Sequence, residues 1–123
     1  MIKHKIALSF GVYDGYLTID DGPMQRLNML CITYKGEFDK CHPNSNYVEA
    51  EKPNPNVKMN VRLIGENGVW EPDVLRQKLR YFIRKELPWR YQRKRATVVI
   101  SVKHSWSPEA RAQLRTIVMA ALR

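Results

Sequence analysis

The sequence is poor in the residues that most often mark a chemistry. Two cysteines among 123 residues cannot build a disulfide framework, and in a reducing compartment both are expected as free thiols. Six glycines are present, but Gly65-Glu66-Asn67-Gly68 lacks the following Lys-Ser/Thr that a phosphate-cradling loop requires. No serine lies in a nucleophile-elbow pattern. No run approaches the roughly 18 apolar residues of a spanning helix, so no membrane partner is expected. The opening MIKHKIALSF is charged, its apolar stretch breaks at Gly11 and Asp14, and no small-residue cleavage site follows. That reads as no secretory signal and a cytoplasmic location. Carboxylates are the scarcest charge: 12 Asp and Glu against 21 Lys and Arg, for a net +9.

Enough remains for a folded domain. Apolar residues make up 44% of the chain, too many for disorder along its whole length. The length suits a single α+β domain over residues 1–123. The positive excess points to a polyanionic partner, and its position sharpens this. Residues 1–70 carry eight basic and eight acidic side chains, whereas residues 76–95 carry nine basic ones against Glu86 alone, a local +8. Solvated helix faces normally mix the two signs. Here Arg76, Arg80 and Arg84 repeat at i,i+4, where like charges repel and destabilise the helix. A purely structural face gains nothing from that repeat; a phosphate-binding face does.

The periodicities predict strands followed by helix, strand and helix. Lys5 to Tyr13 and Tyr16 to Ile19 read as strands joined by a tight turn at Asp14-Gly15. Asp20-Asp21-Gly22-Pro23 breaks the chain, a third strand spans residues 27–34, and Lys35-Gly36 suits another hairpin turn. Residues 42–56, rich in Pro and Asn, read as a long loop. Val57 to Ile64 alternates apolar and polar residues, as a half-buried strand does, and residues 65–68 form a turn. A helix is predicted over 72–87, with Pro72 and Asp73 in its first turn and Leu75, Leu79, Phe82, Ile83 and Leu87 on one face. A basic loop follows. Residues 96–103 read as a central strand buried on both faces. Ser107 is placed to cap a last helix, 108–122, burying Ala110, Leu114, Ile117, Val118 and Ala121. The whole is an α+β domain with two helices packed on a mainly antiparallel sheet, whose exposed edge would suit pairing with a second chain.

The segment PWRYQRKR, residues 88–95, sets Trp89 and Tyr91 among Arg90, Arg93, Lys94 and Arg95. Cations release counterions from phosphates, and exposed rings stack on unpaired bases. The expected function is therefore non-catalytic nucleic-acid binding through Arg76, Arg80, Arg84, Lys85, Arg90, Tyr91, Arg93, Lys94 and Arg95. No cofactor and no metal enter this reading. Trp89 suits either core packing or the same surface. No helix-turn-helix, RRM, KH or zinc-finger pattern separates DNA from RNA.

Two other functions fit the same residues. An inhibitor or accessory factor, of the kind a virus encodes, would dock the basic patch on an acidic or nucleic-acid-binding surface of a larger enzyme complex. A metal-dependent nuclease would need Asp14, Asp20, Asp21, Glu37 and Asp39 to converge on Mg²⁺. Asp14 and Asp21 each precede glycine, a placement that turn chemistry alone explains. Cys31, Cys41, His42 and His104 lack the two close ligand pairs of a structural zinc site.

Overall fold

The computed structural model describes residues 3–34 and 57–123. In Lys5–Phe10 (β1) apolar residues alternate with small or polar ones, and the fold follows that alternation. Ile6, Leu8 and Phe10 point to one side, opposite Ile19, Leu17 and Gly15 of Asp14–Ile19 (β2). Gln25–Asn28 (β3) pairs antiparallel with β2. On its other edge β1 pairs in parallel with Thr97–Ser101 (β8), which places Val98 beside Ile6 and Ile100 beside Leu8. The result is a four-stranded mixed sheet in the order β3-β2-β1-β8. Leu30–Tyr34 (β4) and Val57–Arg62 (β5) form a separate antiparallel pair, and Ile64–Gly65 (β6) and Gly68–Val69 (β7) a short hairpin.

The inward residues of the sheet share one core with two helices. Pro72–Glu86 (α1) begins with Pro at its first turn and Asp73 at the positive end of its dipole. It buries Val74, Leu75, Leu79 and Ile83. Pro108–Leu122 (α3) is capped as expected, the Ser107 hydroxyl accepting from the Ala110 N–H at 3.1 Å. It buries Leu114, Ile117, Val118, Ala121 and Leu122. The opposite face of the sheet carries Lys5, Ser9, Thr97, Val99 and Ser101, all exposed. The α+β class and both long helices are those expected from the sequence.

Five local expectations are corrected. The strand expected over 27–34 divides at Met29, its first part in the four-stranded sheet and the rest pairing with β5. The β1–β2 turn lies at Gly11–Tyr13, closed by the Gly11 N–H to the Asp14 carbonyl at 2.8 Å, and Asp14-Gly15 opens β2 instead. Gly15 serves close packing: a Cβ there would stand 3.2 Å from the Met29 methyl and 3.4 Å from the Ser9 carbonyl. The Val57–Ile64 strand ends at Arg62, and Ile64-Gly65 starts the next hairpin. Residues 90–94 are not loop but a short helix, Arg90–Lys94 (α2). β8 is not central, but ends the sheet, and its Val99 is 45% exposed. Expectations for Lys35, Gly36, Glu37, Asp39, Cys41, His42 and the 42–56 segment lie outside the described residues.

One buried position breaks the helix pattern. Lys78 stands on the core face of α1, 1% exposed, and its Nζ donates to the Asn28 carbonyl at 2.5 Å. Burial pushes its pKa down from 10.5 to about 8. Between those values the unfolded chain holds more protons than the fold, so this group makes stability rise with pH across the window. Below about pH 8 its full cost is present, about 3 kcal/mol for a shift of this size. Lys78→Met removes that cost and also one hydrogen bond. Urea unfolding from pH 7 to 10.5 should therefore show wild type gaining on the variant by about 3 kcal/mol. A difference flat with pH would mean that the amine is not desolvated.

Candidate functional site

The basic window folds into the end of α1 and all of α2. Arg84 and Lys85 occupy the last turn of α1, where cations complement the dipole. The Leu87 N–H closes that turn on the Ile83 carbonyl at 2.8 Å, and Pro88 ends it. Trp89 then starts α2, its N–H donating to the Gln92 side chain at 3.0 Å. A five-residue helix does not hold itself together. Arg93 holds it: only 4% exposed, it donates from Nε to the Leu122 carbonyl at 3.0 Å and from Nη1 to Leu87 and Pro88 at 2.9 and 2.8 Å. One guanidinium thus satisfies carbonyls left open at the ends of both α1 and α3.

Arg93 is accordingly a correction to the expected binding track. Its Nε and Nη1 donate to backbone carbonyls, and its side chain is largely buried, bordering the cleft beside α2. The other members stay near it. Burial first, then the charges of Arg84, Arg80 and Arg90, push its pKa below the ordinary arginine value. Arg84, Lys85, Arg90, Lys94 and Arg95 are exposed, and Arg76 and Arg80 half-buried. Arg84 donates from Nη2 to the Arg123 carbonyl at 2.9 Å. Tyr91 is 63% exposed, and Trp89, which sequence left between core and surface, is 62% exposed. A cleft of about 270 Å³ runs beside them, lined by Arg90, Lys94 and Arg123 around Ala96, Met119 and Leu122.

The acids stand elsewhere. Glu86, the one carboxylate of the window, accepts from the Gln25 side chain of β3 at 3.0 Å. Among the described residues the acid–base contacts are His4–Asp20 at 2.6 Å, Lys5–Asp21 at 3.7 Å and Arg26–Asp14 at 2.6 Å, all on the β1–β3 strands or at their ends. The His4 hydrogen bond, then the Lys5 N–H, lower the Asp20 pKa. Asp14, Asp20 and Asp21 are thus held in separate pairs, and no cluster of three metal-ligating side chains occurs among the described residues. Ser105 donates to the Glu66 carbonyl at 3.3 Å, and Trp106 beside it is buried. Sequence reasoning missed Lys78 and the clamping role of Arg93, since residue type does not distinguish a buried cation from an exposed one in a basic run.

Arg93→Met should leave three carbonyls without their donor and cost about 3 kcal/mol or more. Arg90→Ala, one turn before it on α2 and exposed, should stay within about 0.5 kcal/mol of wild type. Urea midpoints of the two variants check this; equal midpoints would remove the clamp.

No protein-family model matches this chain, and no curated protein matches it. Solved structures do match it in fold. MreB5 of Spiroplasma citri bound to ADP superposes with a TM-score of 0.69 at 11% identity, over 97% of this chain and 35% of that one. The same protein bound to AMPPNP gives 0.70 at 11% identity, over 98% of this chain and 36% of that one. This chain therefore spans about a third of their length, and what it shares with them is the fold.

Proposed function

We propose that the chain is a non-catalytic nucleic-acid-binding domain whose contact surface is the α1–α2 corner. The observation that carries the reading is that Arg84 and Arg93 bond the adjacent Arg123 and Leu122 carbonyls, with Arg90 one turn from Arg93 on α2, while the window's only carboxylate accepts from Gln25 of β3. Among the described residues, no carboxylate pairs with Arg76, Arg80, Arg84, Lys85, Arg90, Lys94 or Arg95. Like charges collected without counter-charge raise the energy of the free fold, and phosphates relieve it by displacing condensed counterions. The exposed Trp89 and Tyr91 rings at the same corner favour single strands, whose bases are free to stack. Arg84 and Arg80 hold phosphates in this reading, Arg76 and Lys85 extend the track along α1, and Arg90, Lys94 and Arg95 extend it along α2. Of the other functions considered, docking on an acidic protein surface would use the same cations. A nuclease would need carboxylates that here sit in ion pairs of their own.

Anisotropy titrations with single- and double-stranded DNA and RNA over a salt series test the proposal. Arg80→Glu with Arg84→Glu should weaken binding at least about tenfold and lower the salt slope by about 1 per lost phosphate contact. Trp89→Ala should cost single strands about 1–3 kcal/mol and duplexes less. An unchanged salt slope in the double variant overturns the assignment.

A further inference from the structure

Among the described residues, the outer edge of β8 pairs with no strand. The Thr97 N–H points to β1, donating to the His4 carbonyl at 2.8 Å. Backbone groups alternate sides along a strand, so the N–H and C=O of Val98 and Ile100 face away from β1. Nothing blunts that side either: the strand reads TVVIS, without the Pro, Lys or bulge that usually protects an edge.

Side-chain burial agrees. Val98 and Ile100 lie beside Ile6 and Leu8, which are 0% and 2% exposed, yet both remain half-buried. Their outer flank opens into a cleft of about 230 Å³ that runs between β8 and α3, walled by Val98, Ile100, Val102, Leu114 and Met119. Arg111, bonded to the Lys103 carbonyl, marks its Val102 end, and Arg115 lines it one helical turn further along α3. Met119 also borders the second cleft, where Ala96 lies with Arg90, Lys94 and Arg123. The combined groove is apolar in the middle and cationic at both ends. Arg111 spends its donors on the Trp106 and Lys103 carbonyls, which leaves its charge uncompensated.

We propose that β8 and this groove bind an extended segment of a partner protein by strand addition, and that the segment is acidic at both ends with apolar residues at alternate positions between. The exposed amides and carbonyls of Val98 and Ile100 supply the ladder, the apolar residues fill the cleft, and the terminal carboxylates meet Arg111 and Arg115 at one end and Arg90 and Lys94 at the other. A second copy of this chain is the wrong occupant: antiparallel edge-to-edge pairing would set Arg95 of one copy against Lys103 of the other, like charge against like. This site shares Arg90 and Lys94 with the phosphate track but none of the track's α1 residues, so variants on α1 and on α3 tell the two apart.

The probe is a labelled, end-blocked peptide, Glu-Glu-Val-Thr-Val-Thr-Val-Glu-Glu, titrated by anisotropy against the full chain. Saturable binding below about 1 mM that weakens with salt is expected. The same peptide with Lys for Glu should bind at least about tenfold more weakly. N-methylation at alternate amides, tried in both registers, should abolish binding in one register. Ile100→Pro removes an outward N–H and no β1 ladder bond, a placement that edge strands tolerate, so it should lower affinity about tenfold or more with the thermal midpoint retained. Arg115→Glu, an exposed change, should weaken the peptide while leaving oligonucleotide binding intact; Arg80→Glu with Arg84→Glu should do the reverse. The proposal is overturned by no binding at about 1 mM, by equal binding of both N-methylated registers, or by wild-type affinity in Arg115→Glu. An oligonucleotide weakened by Ile100→Pro as strongly as the peptide would assign the groove to nucleic acid and overturn it as well.

Discussion

Two helices end at the same place with the same electrostatic problem. The last carbonyls of α1 and α3 have no partners within their own helices, and the negative ends of two dipoles face each other across a short distance. The Arg93 guanidinium answers both, bonding Leu87 and Pro88 on one side and Leu122 on the other. Much of the basic corner follows from this contact. α2 is too short to persist alone, and the arginine that anchors it fixes which of its faces turns inward. Trp89 and Tyr91 are thereby left outside. Arg84 bonds the Arg123 carbonyl next to the Leu122 carbonyl that Arg93 holds, so the structural clamp and the cationic surface adjoin.

Charge is divided between the two layers. The strands carry their acids and bases in pairs: His4 with Asp20, Lys5 with Asp21, Arg26 with Asp14. The helical corner carries bases with little opposition, and its one acid is tied to the sheet through Gln25. The sheet itself is sealed unevenly. Leu27 on the β3 edge is fully buried, and the nearby Lys78 amine closes the Asn28 carbonyl. The β8 edge has no such cover among the described residues. A surface that is positive at the helix ends and hydrogen-bond-competent at the strand edge offers two unlike kinds of contact on one small domain.

The helices were legible because their signals are local. Pro72, Ser107-Pro108 and the spacing of Leu75, Leu79 and Ile83 each act within a few residues, and no tertiary contact overrides them. The strands were legible as strands, but their places were not. The run TVVIS has the composition of a buried strand, and only the absence of a described neighbour makes it an edge, which composition does not encode. Asp14-Gly15 has the chemistry of a turn, yet the close approach of the Met29 methyl uses the glycine for space. At the candidate site the aromatic exposure of Tyr91 followed from its position in a basic run. The burial of Arg93 did not, since within RYQRKR every arginine reads alike until helix ends are brought together in three dimensions. Lys78 was hidden in the same way, counted among surface charges because its neighbours in sequence are surface charges.

The parallel pairing of β1 with β8 joins Lys5 to Thr97, so the central strand meets its second neighbour only across most of the chain. β1, β2 and β3 are sequential and antiparallel, and can assemble as a meander from the first thirty or so residues. Their loop-closure entropy is small, whereas that of β8 is large. On a ribosome, which makes the N-terminus first, β1 therefore waits with one side hydrogen-bonded and the other bare until nearly the whole domain has emerged. For that interval the nascent chain presents Ile6 and Leu8 beside an open ladder, a combination that invites wrong partners. The arrival of β8 is the event that closes it, and it passes the open edge on to a strand flanked by arginine and lysine.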